Sequence, residues 1–495
     1  MAEITENMVE SGIPGLDKIL YGGLPCNQMY AIYGISGSGK TTICMQFLLH
    51  GLKLGERCLY IGTSETVPEI QRIARSHQWD LTGLDISHLA MLYGEKAGPK
   101  QTMLNPAEIE LPQLMDNLIS RIREYNPQRL AVDSLSEIRL VAREKSWYQR
   151  QLMLLKSFLE ARACTVFLTD TVGGENTVLK TFAHGCIEMS KTNPLYGPER
   201  QRLRVEKLRG HSFISGFHDC EIIKGGVKVF PRLVSAQYGK DFTKEAVSSG
   251  IRELDKLLGG GLDRGTCTLI QGASGTGKSV LATQFVAAAA QRNEKSMIFC
   301  FDERLATFLE RSRGLGMDMD NFISEGLVEL HQVDPAEQTA GEFSSVVSES
   351  VLQKGFSVIV IDSLNGYAYS LPDERFLVVH LHELANFLNL QGVVTLFNMS
   401  QQSGFGLGTI PPSFDVSYVS DTVVNLGYFE YKGAVRKAAS VFKKRSGNHE
   451  RTIRELSMGS NGLHVGPTLQ DFEGIATGIP RYIGKTINGG GSSCL

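Results

Sequence analysis

Short apolar stretches alternate with longer amphipathic ones along most of the chain. Residues 29–33, 58–61, 129–133 and 165–169 are apolar through their interiors, as expected of strands buried on both faces of a sheet. Residues 41–54 and 147–159 instead carry apolar side chains at helical spacing, which predicts helices packed on that sheet. The same order then returns, with strands at 267–271, 296–301, 358–362 and 393–397 and helices at 279–291 and 375–388. Such alternation predicts an α/β fold with two mostly parallel sheets, each flanked by helices. Each series ends in a hairpin pattern, turning at Gly225-Gly226 and at Asn461-Gly462.

The two series are copies of one another. Ser11-Gly12-Ile13-Pro14-Gly15-Leu16-Asp17-Lys18-Ile19-Leu20 returns as Ser249-Gly250-Ile251-Arg252-Glu253-Leu254-Asp255-Lys256-Leu257-Leu258, and Gly22-Gly23-Leu24 as Gly260-Gly261-Leu262, at an offset of 238 (11 to 249). The offset becomes 229 between Asp133 and Asp362 and 236 between Lys207 and Lys443. A chain of 495 residues exceeds what one hydrophobic core supports. The repeat predicts two domains, 1–240 and 241–467, joined through the polar stretch 235–247. Repetition stops near Pro467, and 468–495, which closes on a Gly-Gly-Gly-Ser-Ser run, is expected to be a flexible tail.

Composition narrows the function. No apolar run approaches the ~20 residues of a membrane span, and the acidic, polar start Met1-Ala2-Glu3 is unlike a secretory signal. The nine cysteines form no C-x-x-C pair, so neither a zinc site nor a disulfide framework is expected, and a cytoplasmic setting follows. Net charge is −3 with no long basic run, which argues against a dedicated nucleic-acid binder.

The chemistry lies in two glycine-rich loops. Gly34-Ile35-Ser36-Gly37-Ser38-Gly39-Lys40-Thr41 and Gly272-Ala273-Ser274-Gly275-Thr276-Gly277-Lys278-Ser279 both fit G-x-x-x-x-G-K-[ST], each between a predicted strand and a predicted helix. Their glycines let backbone N–H groups turn inward around a phosphate, and the helix start behind them favours negative charge. ATP is therefore expected at Ser36, Gly37, Ser38, Gly39, Lys40, Thr41 and Thr42, and at Ser274, Gly275, Thr276, Gly277, Lys278, Ser279 and Val280. Magnesium would be held by Thr41 with Asp133 and by Ser279 with Asp362, since each aspartate ends an aliphatic strand. The alternative for those aspartates is the capping of a turn.

Glu65 and the Asp302-Glu303 pair follow the next strand, where a carboxylate can orient water or accept a proton; the alternative is a solvated acidic loop. The first half has one carboxylate, Ser64-Glu65, and the second has two. Paired carboxylates raise one another's pKa, so hydrolysis and phosphotransfer are expected to be divided unequally. Lys207 with Arg209, and Lys443 with Arg445, lie two apart on strand-like segments and so share a face. They are either a solvated edge or cations that complete a neighbouring subunit's ATP site, which would require a ring.

These motifs together resemble the KaiC family, the hexameric ATPases and autokinases of the circadian oscillator. The resemblance spans about residues 8–467 and is carried by the tandem loops, the Ser-Gly-Ile lead-in, Glu206-Lys207-Leu208-Arg209-Gly210 and Ile361-Asp362-Ser363-Leu364. It implies two tandem RecA-like domains, with ATP and Mg²⁺ at the subunit interfaces of a homohexamer. Asp302 and Glu303 fall where the family has paired glutamates, one of them the base for autophosphorylation. Only Glu65 of that pair remains in the first domain, so hydrolysis there is expected to be slower or differently arranged. The family phosphorylates an adjacent Ser-Thr pair just before an Asp-Thr; counting back from Asp421-Thr422 places Ser417 and Tyr418 there. Ser417 is thus the phosphoacceptor candidate, with an ordinary surface hydroxyl as the alternative and Ser420 close by. Tyr418 does not suit the family's two-step cycle. The segment 471–495 does not match the tail on which KaiA docks, so KaiA is not expected as a partner, while a KaiB-like protein docking on the first ring is compatible. The expected function is an ATP-hydrolysing, serine-autophosphorylating ring in signalling or timing. A RecA-like DNA-directed ATPase and an ATP-stabilised scaffold with little turnover are the alternatives.

Overall fold

The computed structural model describes residues 8–63, 65–88, 106–142, 145–171, 177–194, 197–370, 374–401, 416–475 and 479–484. The chain divides after Arg232 into two compact units, each built on a nine-stranded sheet.

In the first unit the strand Met29–Gly34 is central, pairing in parallel with Thr165–Thr171 on one side and Gly185–Thr192 on the other. Beyond Thr165–Thr171 come Arg129–Asp133, Cys58–Gly62 and Asp85–His88, all parallel. On the other flank the sheet turns antiparallel through Arg200–Leu208, His218–Ile223 and Gly226–Phe230. The second unit repeats that order around Cys267–Gly272, from Val328–Gln332 at one edge to Gly462–Thr468 at the other. The sheets are therefore mixed, with an antiparallel flank wider than the predicted hairpin, because the strands bearing Lys207 and Lys443 join the ladder.

The apolar runs are the central strands, and Met29–Gly34, Cys58–Gly62 and Arg129–Asp133 are buried at every position. Strand-to-strand crossovers place helices on the sheet faces. The helix Lys40–Lys53 buries Ile43, Phe47 and Leu48, and Phe47 stacks on Phe167 of the sheet with ring centroids 4.0 Å apart. Arg129, 1% exposed, lies over the Phe47 ring at 4.7 Å. It donates to the carbonyls of Glu10 and Phe47 at 2.8 and 3.0 Å and pairs with Glu56. Such a buried cation persists because its donors are satisfied.

The expected flexible tail is folded over part of its length. Phe472–Glu473 pairs antiparallel with Arg481–Tyr482, and the Phe472 ring lies 5.1 Å from Phe429 and 5.3 Å from Tyr431. Aromatic burial against the sheet orders this segment, while residues 485–495 lie outside the described ones. Within the expected linker, Ser235–Gln237 forms a 3₁₀ turn, and Tyr238 packs edge-on against Phe387 at 5.2 Å. Among the described residues no helix is long and apolar enough to cross a membrane.

Candidate nucleotide sites

The loops of interest leave the carboxyl edge of each parallel sheet, where open α/β sheets bind ligands. In the first unit the glycine-rich loop connects Met29–Gly34 to the helix Lys40–Lys53, and Gly39 caps that helix at φ 97°. A side chain at Gly39 would be strained by this φ and would approach Ile222 Cδ1 at 3.0 Å. Lys40 is 8% exposed, and its Nζ donates to the carbonyls of Gly34 and Ile35, both at 2.9 Å. Burial lowers its pKa against the opposing pull of Asp133 and Asp170.

Asp133 ends its strand 3% exposed, and both its oxygens accept hydrogen bonds. Thr41 Oγ1 donates to Oδ2 at 2.6 Å and Tyr60 OH to the same atom at 2.9 Å, while Thr169 donates to Oδ1. The Thr41 hydroxyl and Asp133 carboxylate thus meet at one point beside the loop. An oxygen-only donor set with a single carboxylate suits Mg²⁺, which takes its remaining ligands from phosphate and water. No cluster of three or more acidic, histidine or cysteine side chains able to enclose a metal occurs among the described residues.

A cavity of about 720 Å³ opens here, lined in part by Lys40, Thr41, Glu65, Asp133 and Arg139. Among the described residues Glu65 Oε2 is buried without a hydrogen-bond partner. Burial, and then the charge of Asp133, raises the Glu65 carboxyl above its ordinary value. Ser36, Gly37, Gly39 and Thr42 also line the cavity, whereas Ser38 is buried beneath the loop, 1% exposed. Its contribution to a phosphate cradle is therefore its backbone.

The second unit repeats the plan with different side chains. Its cavity is about 680 Å³, lined by Ser274, Gly275, Gly277, Lys278, Ser279, Val280, Asp302, Glu303 and Asp362 among others. Lys278 Nζ donates to the carbonyls of Gly272 and Ala273 at 3.0 and 2.9 Å, and burial lowers its pKa. Thr276 turns under the loop, donating to the Ala273 carbonyl at 2.8 Å. The two carboxylates are engaged separately: Asp302 accepts from the Ser363 hydroxyl and Glu303 from Arg311. Both strand-end aspartates precede a cis peptide, Asp133-Ser134 and Asp362-Ser363.

The basic pairs lie elsewhere. Lys207 donates to the Lys180 carbonyl and Arg209 to that of Thr181, the latter at 3.0 Å, at the end of the helix Thr177–Phe182. Burial lowers the Lys207 pKa. In the second unit Lys443 donates to the carbonyls of Ser417 and Ser420, both at 2.8 Å, and Arg445 to that of Tyr418, also at 2.8 Å. Both ladders shift register beside the lysine, between Cys186 and Ile187 and between Val423 and Val424, so a bulge re-aims each pair. Among the described lining residues of the two cavities, none of these four cations is present. Ser417 is half-buried in a turn and also lies outside its own unit's cavity lining, with Tyr418 beside it 49% exposed.

Sequence reasoning missed a polar group in the first unit. Asp170, buried at the end of Thr165–Thr171, accepts from Ser136 Oγ at 3.0 Å and from Arg139 at 3.3 Å. Burial raises its pKa, and Ser136 and Arg139 both line the cavity. The signal was a carboxylate closing an aliphatic strand, the feature that marked Asp133.

The family model for the KaiC ATPase matches residues 9–234 and again residues 247–470. The chain is 28% identical over 479 residues to the circadian clock oscillator protein KaiC of Synechococcus elongatus, covering 95% of this chain and 91% of that one. It is 27% identical over 489 residues to the protein of the same name from a Picosynechococcus species, covering 95% and 92%. A circadian clock protein KaiC3 from a Synechocystis species is 26% identical over 489 residues, covering 97% and 95%.

Proposed function

The chain belongs to the KaiC family of ATPases, and on that premise we propose that each of its domains, 1–240 and 241–467, binds ATP with Mg²⁺ at the interface of a cytoplasmic homohexamer. The first domain hydrolyses its ATP, and the second transfers phosphate to Ser417. The assembly serves signalling or timing, with a KaiB-like protein as a compatible partner.

Glu65 carries the hydrolytic reading. Its unpartnered Oε2 is enclosed in the same cavity as the Thr41–Asp133 pair. Lys40 leaves its loop carbonyls to meet the β- and γ-phosphates. Thr41 and Asp133 would hold Mg²⁺, which spreads the developing phosphate charge. Water attacks the γ-phosphorus in line, the bond to the bridging oxygen breaks with its electron pair leaving on ADP, and the water proton passes to Glu65. A carboxyl raised by burial is a better proton acceptor than an ordinary one.

The position of the basic pairs supports a contribution in trans. Lys207 and Arg209, held by the carbonyls of Lys180 and Thr181, lie outside the lining of their own unit's cavity, as befits cations that complete a neighbour's site. Ser417, whose carbonyl accepts from Lys443, would take phosphate from an ATP on the adjacent protomer. Light scattering with and without Mg-ATP, phosphate release, and intact-mass analysis after incubation test the assembly, the hydrolysis and the transfer separately. A persistent monomer, or turnover unaffected by Glu65→Gln, refutes the reading.

A further inference from the structure

The two nucleotide cavities differ at one residue in a way that separates their chemistry. Glu65 and Glu303 occupy equivalent places, offset by 238, and the same offset carries Ile73 of the helix Val67–His77 onto Arg311 of the helix Leu305–Gly314. Both side chains line their cavities. In the cavity that the apolar Ile73 also lines, Glu65 keeps a buried oxygen without a hydrogen-bond partner among the described residues. Arg311 instead ion-pairs with Glu303 through Nη1, while its Nη2 is buried and makes no hydrogen bond. Asp302, the remaining carboxylate there, accepts from the Ser363 hydroxyl. The guanidinium thus occupies Glu303 Oε2, one of the two oxygens that could take a proton from water.

We propose that Arg311 is a positioning residue that withholds Glu303 from water activation and slows hydrolysis in the second domain, the reverse of the order expected from the count of carboxylates. Bound ATP is thereby preserved in the second site while the first turns over. The inference rests on the reading of these glutamates as proton acceptors. The restrained step is attack of water on the γ-phosphorus, with ADP leaving on the bridging oxygen and the water proton going to the carboxylate. With Arg311 on Glu303 Oε2, that proton reaches this oxygen only after the guanidinium is displaced. The first domain has no such restraint, since Ile73 offers no charge.

The test uses the full-length protein carrying Glu65→Gln, so that phosphate release from Mg-ATP reports the second domain. Arg311→Ile, which copies the first domain, is expected to raise kcat roughly tenfold, a fraction of what a general base supplies, with KM unchanged. Arg311→Lys, which keeps the charge without the fork, should raise it less. The reciprocal Ile73→Arg, made in a Glu303→Gln protein, should lower first-domain kcat by a similar factor and covers the case in which Arg311→Ile fails to fold. Unchanged or reduced kcat in Arg311→Ile protein that binds ATP and unfolds at the parent temperature overturns the proposal. A Glu303→Gln change that leaves second-domain release intact overturns the proton-acceptor reading itself, and the proposal with it. A change confined to KM would show Arg311 to be a binding residue only and also overturns it.

Discussion

Glu65→Gln is the sharpest perturbation of the first site, because it replaces one carboxylate oxygen by an amide nitrogen and keeps the side-chain shape. The native carboxylate has an oxygen buried without a partner among the described residues and is raised above its ordinary value first by burial and then by the charge of Asp133. Removing it should cost the general-base share of the rate, roughly 10²-fold or more, which is about 2.7 kcal/mol of barrier at 1.36 kcal/mol per decade. The same raised pKa sets the pH dependence. The active form is the carboxylate, so first-domain kcat/KM falls as pH drops through a pKa raised above that of an ordinary glutamate. The linkage runs the other way for stability. A raised folded-state pKa favours the protonated protein, so its stabilising effect is present at low pH and lost as pH rises through that pKa. At neutral pH the ionised group is a burden, and the glutamine variant should unfold at the parent temperature or slightly above it. Phosphate release in a Glu303→Gln background, ATP-analogue titration and thermal unfolding measure the three quantities. A first-domain rate within threefold of the parent, with analogue affinity preserved, refutes the reasoning.

Replacing Lys207 and Arg209 by alanine should abolish first-domain turnover, and mixing that protein with a Lys40→Ala chain should restore part of it in hybrid rings; no recovery on mixing argues against cations acting across protomers. Ser417→Ala should remove the phosphate seen by mass spectrometry after Mg-ATP incubation, and a phosphate retained on the alanine protein would exclude Ser417 as acceptor. Glu56→Ala strips the ion-pair partner from the buried Arg129 and should destabilise the first unit by about 3 kcal/mol, the low end for breaking a buried pair because Glu56 is partly exposed; a denaturant midpoint unchanged from the parent would show that the carbonyl contacts alone suffice.

Much of the architecture was legible in linear pattern. Apolar runs marked the central strands, helical spacing marked the helices between them, and the two glycine-rich loops fell at strand-to-helix junctions because those junctions bring consecutive residues together. Local chemistry of this kind survives translation into one dimension. The antiparallel flank did not, since strands such as Arg200–Leu208 are charged and only part-buried and lack the continuous apolar run. The packing of Phe472 on Phe429 and Tyr431 was hidden for a similar reason, a few aromatics in a polar stretch having no periodicity to report.

Partnerships between distant residues form the other class. Thr41 and Asp133 are far apart in sequence and meet at 2.6 Å because parallel strands deliver their carboxyl ends to one edge. Position at the end of a strand named the carboxylates Glu65, Asp302 and Glu303, yet it could not tell which one has an unpartnered oxygen and which is held by a cation. That distinction depends on whether the helix two turns onward offers Ile73 or Arg311, and on the fold turning that side chain into the cavity. Residue type sets what a group is able to do; which neighbours it meets, and therefore what it does, arises from the packing of segments that the chain order leaves apart.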